Sequence, residues 1–257
     1  MNGYTFNNLP FFKVNGKLAC HILLFTFCVL LSACNDPAAP DFLKSNGPQH
    51  TEQRSVSSAI THIEVNDDIR IILSPDSGRE ITLTGPANVL PQVRAEFADG
   101  RLTLSNANTF NWVRAAKAIE VRIPAARLEK YVHHGYGDLR CADTLNLYRV
   151  RLELYGTANT ALLLKADVLS LDANSLGTLT LAGHVRYAYM FTLKTAEIAA
   201  DNFTAQLADL DIGSRRDARL KVTDSVQAVL RSTGNAVVAG RPRNKSQAMG
   251  TGRLVLP

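Results

Sequence analysis

His133-His134-Gly135-Tyr136-Gly137-Asp138-Leu139 is the stretch with the densest chemistry, placing two imidazoles, a phenol and a carboxylate close together. Such a set could ligate a metal or move a proton. Adjacent residues of a strand, however, point to opposite faces, so His133 and His134 cannot readily hold one ion together. Asp138 and His184 are the only obvious further ligands, and no metal site is expected. A second constellation is Asp209 and Asp211, which alternate onto one face of a strand, followed by Arg219 and Lys221, which do the same one step later. Two nearby carboxylates could act as acid and base on a glycosidic bond while the cations grip an acidic sugar. That is the pattern of a carbohydrate-active enzyme, a polysaccharide hydrolase or lyase. The run Asp209 to Asp224 balances its charges, so a solvated face with cross-strand ion pairs explains it equally simply, and the chain reads as a non-enzyme. No nucleophile elbow, phosphate loop, zinc spacing or nucleotide fingerprint is present, and no cofactor or nucleic-acid partner is expected.

The elements that would carry these residues are strands. From residue 59 onward apolar residues recur with period two: Ile63 and Val65, then Ile69, Ile71 and Leu73. Asp99-Gly100, between Phe97 and Leu102, signals a two-residue hairpin. The stretch 107–117, around Trp112, reads as a loop or a single helical turn. After about residue 128 a longer period appears, roughly 18 to 22 residues, each copy an alternating strand, a turn of Gly, Ser, Thr or Asn, and another strand. A coil of that size cannot bury its own apolar face, so successive coils must stack, and a parallel β-helix results. Gly135, Gly137, Gly156 and Gly234 fall at the corners, where backbone angles of positive φ are expected to demand glycine. The histidine-rich stretch is then a corner and not a reaction centre.

The order of these elements resembles the head GIN domain, the family also called the putative auto-transporter adhesins. The likeness is carried by the lead-in through "HIEVNDDIRIIL", "RAEFADGRLTL" and "IEVRIPAARLEKYVHHGYGDL", and by the corners "STGNAVVAGRP" and "GTGRLVLP". It covers nearly all of residues 59–257. It implies an all-β, right-handed parallel β-helix with irregular N-terminal strands and a hairpin, on an exported and often lipid-anchored protein without established catalytic residues. The corners "ANSLGT" and "GSRRDA" depart from the family's Gly-Ser pattern.

The N-terminus reads as a targeting segment. Lys13 and Lys17 precede an apolar run from Leu18 to Ala33 that is short for a bilayer span of about 20 residues. Leu31-Ser32-Ala33-Cys34 resembles the lipobox of bacterial lipoproteins, which implies cleavage before Cys34 and lipidation of its thiol. Residues 1–33 are thus a signal peptide, 34–58 the lipidated cysteine with a tether rich in Pro, Gly, Ser and charge, and 59–257 the β-helix. Once the leader is gone and Cys34 is acylated, Cys141 is the remaining thiol, expected to be a small buried hydrophobe. The expected address is the bacterial cell envelope, at the outer membrane.

Charge points to a partner. The net charge of +5 falls to about +3 without Lys13 and Lys17, and residues 225–257 hold Arg231, Arg241, Arg243, Lys245 and Arg253 with no Asp or Glu. Stacked coils would bring these cations together as a contact surface for an anionic glycan or lipopolysaccharide. The oligomeric state is not legible. The expected function is that of an envelope binding, adhesion or structural module.

Overall fold

The computed structural model describes residues 47–107 and 119–257. The leader, Cys34, the tether up to residue 46 and the stretch 108–118 with Trp112 lie outside the described residues. The fold is nearly all-β, with about 2% helix, and forms a β-solenoid of about seven turns. Among the described residues no helix is long and apolar enough to cross a membrane.

The first strands are short: β1 (Gln49–Ser55), β2 (His62–Val65), β3 (Ile69–Ser74), β4 (Glu80–Pro86), β5 (Val93–Ala98), β6 (Arg101–Asn106), β7 (Ile119–Pro124), β8 (Lys130–His133) and β9 (Leu139–Cys141). The next five are β10 (Leu145–Leu154), β11 (Thr160–Ala173), β12 (Thr178–Thr192), β13 (Glu197–Ile212) and β14 (Ala218–Leu230), which lengthen because each runs over two faces of the solenoid. The last are β15 (Ala236–Ala239), β16 (Arg243–Ala248) and β17 (Leu254–Val255). Three parallel ladders build the walls. The first runs β6, β2, β8 and the C-terminal halves of β10 to β14, ending on β16. The second runs β7, β3, β9, the N-terminal ends of β11 to β14, then β15 and β17. The third joins Leu145–Leu147 to Leu164–Ala166 and on to Gly183–Val185 and Phe203–Ala205.

Register gives the coil length directly. His133, Leu154, Ala173, Thr192, Ile212, Leu230 and Ala248 form one column, in steps of 18 to 21 residues. The core is a thin stack of aliphatic side chains, with Leu152, Leu171, Met190, Leu210 and Ala228 in one column and Leu179, Ile198, Ala218 and Ala236 in another. Complete burial of each Leu or Ile contributes about 1.5 to 3 kcal/mol. The long strands turn a corner by slipping phase: in β11 the buried residues are Thr160, Leu162 and Leu164 before Asp167, and Leu169, Leu171 and Ala173 after it. One extra residue at the bend keeps both halves facing inward.

The N-terminal end is closed by antiparallel strands. β5 pairs with β6 through Asp99 and Gly100, both at positive φ (50° and 76°), as a two-residue hairpin of mirror-image type requires. β4 pairs with β7, and β1 pairs with β4. Residues 49–55 therefore belong to the folded domain, although composition assigns them to the tether. β1 is an edge strand whose residues are mostly exposed, so it carries no inward apolar alternation to be recognised. It is held through its backbone and through Arg54, whose guanidinium donates to the Val93 carbonyl at 2.6 Å. At the other end, the β16 residues above the core column are Asn244, Ser246 and Ala248, a largely polar cover over Val226, Ala228 and Leu230.

Candidate functional site

The corner between the first and second ladders recurs along the stack, and the histidine-rich stretch lies in it. His133 is 1% exposed and exchanges a 2.8 Å hydrogen bond through Nδ1 with the hydroxyl of Tyr131, itself fully buried. His134 is exposed and stacks on Tyr155 with ring centroids 5.1 Å apart. The two imidazoles thus point opposite ways. Burial, with a smaller push from His134 and opposed by Asp138, lowers the His133 pKa to about 4, so the ring is neutral in the folded protein. Asp138 Oδ1 accepts the Asn159 amide at 3.3 Å, and His184 sits in the third ladder between Lys165 and Thr204.

Gly135, Gly137, Gly156 and Gly234 stand in these corners, but none has positive φ; among the described residues the glycines that do are Gly47, Gly100, Gly183 and Gly240. The requirement is steric. A Cβ on Gly135 would lie 1.7 Å from the Asp67 carbonyl oxygen, one on Gly156 equally close to that of Gly135, and ones on Gly137 and Gly234 within 2.1 to 2.2 Å of carbonyls of Ile69 and Arg216. Coils at ordinary strand spacing leave no room for a side chain where the tight corner passes over the carbonyl beneath it. The corners are also laced by side-chain oxygens that accept backbone amides of the next coil: Asp217 Oδ1 accepts from the Asn235 amide at 2.8 Å, and Asn235 Oδ1 from the Arg253 amide at 3.0 Å.

The acid/base constellation is dispersed by the fold. Asp209 and Asp211 face outward on the first ladder, whereas Arg219 and Lys221 both pair with β15 in the second, Lys221 also meeting Thr204 of the third. Asp209 accepts the Tyr187 hydroxyl, and burial together with this bond pushes the Tyr187 pKa up to about 12. Asp211 is bridged in bidentate fashion by Arg231, at 2.7 and 2.8 Å. Arg219 pairs with Glu197 at 3.0 Å, which Arg216 also binds. A different carboxylate pair does stack, Glu153 over Asp172 in adjacent coils. Burial tends to raise the Glu153 pKa, but hydrogen bonds from Lys130 and Arg151 outweigh it and hold the carboxyl low; burial and the Glu153 charge raise that of Asp172. The two residues are 19 apart in sequence, and only alignment of the coils brings them into view. Cys141 is half-buried, and its Sγ accepts the Leu163 amide at 3.1 Å.

The basic C-terminal segment is likewise rearranged. Acidic neighbours absent from residues 225–257 arrive from the preceding coil: Asp211 neutralises Arg231, and Asp224 pairs with Arg243 at 3.0 Å on the surface. Arg241, Lys245 and Arg253 form no ion pair with any described residue. Arg231 and Arg253 sit at the corner between the first and second ladders, whereas Arg241, Arg243 and Lys245 flank or lie on β16. The five cations are therefore two groups and not one patch.

No curated protein matches the chain. Among solved structures, a "putative adhesin" from Bacteroides fragilis has a TM-score of 0.76 at 20% identity, covering 82% of this chain and 97% of that one. A "putative adhesin" from Parabacteroides distasonis gives 0.64 at 17% identity, covering 82% and 98%. A "putative lipid binding protein" from the same organism gives 0.58 at 15% identity, with the same coverage. At such identities the likeness is one of fold. The family model described as "Putative auto-transporter adhesin, head GIN domain" matches residues 59–242, and the chain belongs to that family.

Proposed function

We propose that the protein is an exported binding module of the bacterial cell envelope, anchored through a lipidated Cys34 at the outer membrane and directed at an anionic glycan or lipopolysaccharide. The observation that carries the ligand class is the final coil, which has no Asp or Glu of its own and leaves Arg241 and Lys245 beside β16, and Arg253 at the neighbouring corner, without carboxylate partners among the described residues. Unpaired cations on a rigid wall attract phosphate or carboxylate groups, within a Debye length of about 8 Å at physiological salt. The family's adhesin description, and the adhesin and lipid-binding names of its structural neighbours, accord with a binding role. The fourteen residues between Cys34 and β1 could span at most about 50 Å, enough to hold the domain clear of lipid headgroups.

Two measurements test this. Mass spectrometry of the mature protein is expected to show an acyl shift at Cys34, and Cys34→Ala to abolish membrane fractionation, since several acyl chains are needed for stable anchoring; an unacylated Cys34 refutes the anchor. Changing Arg241, Arg243 and Lys245 together to Ser is expected to remove salt-sensitive binding to lipopolysaccharide or acidic glycan. Unaltered binding accompanied by new concentration-dependent oligomers would instead make these residues guards of the exposed β16 edge.

A further inference from the structure

A groove of about 860 Å³ opens near the other end of the solenoid, beneath the first half of β10. It exists because of how the coils begin. β10 pairs with β11 along its length, but its other edge meets β8 only from Arg151 to Leu154. Below Leu145–Val150 the chain runs as a short irregular segment, residues 125–129, between β7 and β8. The wall formed by Leu147 therefore overhangs an open floor. Tyr148 and Arg149, successive residues, are both exposed there, because the ladder skips Tyr148 opposite Asp167 as the strand turns its corner.

The groove's chemistry is specific. Arg127, Lys130, Arg149 and Arg151 line it against a single lining carboxylate, Glu129. Lys130 and Arg151 share Glu153 at the groove's edge, whereas Arg127 and Arg149 form no ion pair with any described residue. Tyr148, 76% exposed, holds its ring in water beside them, with Leu147 and Val168 as apolar lining. An aromatic ring and an apolar wall suit the C–H face of a sugar ring, and planar guanidinium groups bind carboxylates in bidentate fashion. A peptide added as an extra strand fits less well, because the edge before the skipped residue is only Leu145–Leu147. We infer that this groove is a binding site for an acidic saccharide, with Tyr148 as the stacking platform and Arg127 and Arg149 as the carboxylate grips. The inference extends the glycan-binding reading above to a site separate from the final coil, and it does not depend on the anchor.

The test is titration of the full chain with a galacturonic acid tetrasaccharide and with a neutral galactose tetrasaccharide, at low and physiological salt. The acidic probe is expected to bind and the neutral one not to. Tyr148→Ala should weaken binding about fivefold at both salt concentrations, as loss of an aromatic contact does. Arg127→Gln with Arg149→Gln should weaken it about tenfold or more and flatten the salt dependence. All three side chains are exposed, so an unchanged melting temperature shows that the variants fold. Acidic binding that survives the Arg241, Arg243 and Lys245 substitutions but not the groove ones upholds the groove and removes the final coil from the reading above. The inference is overturned if Tyr148→Ala binds like the wild type, if the neutral sugar binds equally, if only the final-coil substitutions abolish binding, or if a carboxylate-rich peptide of equal charge binds as tightly.

Discussion

Replacing Gly156 by alanine tests why glycine occupies the corners. The new Cβ would lie 1.7 Å from the Gly135 carbonyl oxygen and 2.8 Å from its carbonyl carbon, both backbone atoms that cannot rotate away. Relief to ordinary contact requires the coils to separate locally by about 1.5 Å. The hydrogen bond across the interface that must open, Tyr155 N to His133 O at 2.8 Å, would stretch beyond useful length, and the one on the far side, Leu176 N to Gly156 O at 3.2 Å, would be pushed out of alignment. Two strained or unmade backbone bonds at about 1 to 3 kcal/mol each, less what relaxation recovers, give a destabilisation of about 3 kcal/mol. For a domain of this size that is about 10 °C in melting temperature, measurable by circular dichroism. Asparagine separates the two explanations, because it tolerates positive φ but carries the same Cβ. Gly156→Asn should melt as low as Gly156→Ala. Gly100→Asn, at φ 76°, where the one close approach is to the rotatable Thr61 hydroxyl at 2.8 Å and the nearest backbone atom, the Ala59 carbonyl oxygen, lies at 3.5 Å, should lose about 1 kcal/mol or less. If Gly156→Asn melts within about 2 °C of the wild type, or well above Gly156→Ala, coil stacking is not the reason for the glycine.

Two other outcomes follow from the same corner. His133 is neutral when buried, with a pKa lowered to about 4 from an ordinary 6.5, so the folded state binds fewer protons than the unfolded chain between these values. Stability should be complete above pH 6.5 and fall by about 3 kcal/mol as pH drops to 4, and Tyr131→Phe with His133→Phe should flatten that part of the melting profile; an unchanged slope would refute the assignment. Asn235→Ala leaves the Arg253 amide without its side-chain acceptor, and should cost about 1 kcal/mol. Hydrogen exchange should then quicken in β17 ahead of β11 to β13, and uniform quickening would count against local fraying.

Local pattern alone carried the architecture. Alternation at Ile69, Ile71 and Leu73, the Asp99-Gly100 hairpin and the near-20-residue repeat are each properties of contiguous residues, and the strands, the turn and the stacked coils appear where they indicate. What sequence could not settle is everything lateral. In a solenoid the neighbour of a side chain lies one coil away, and the coil length varies from 18 to 21 residues, so an error of one residue exchanges an outward position for an inward one. That is why Arg231 looked unpaired until the preceding coil supplied Asp211, and why Asp209 and Arg219, ten residues apart, lie on different walls. The Glu153 and Asp172 stack and the groove under Tyr148 were invisible for the same reason. The corner glycines show the division most plainly: composition marks Gly135 and Gly156 as turn residues, but the carbonyl that excludes a side chain comes from a coil that only folding places beneath them.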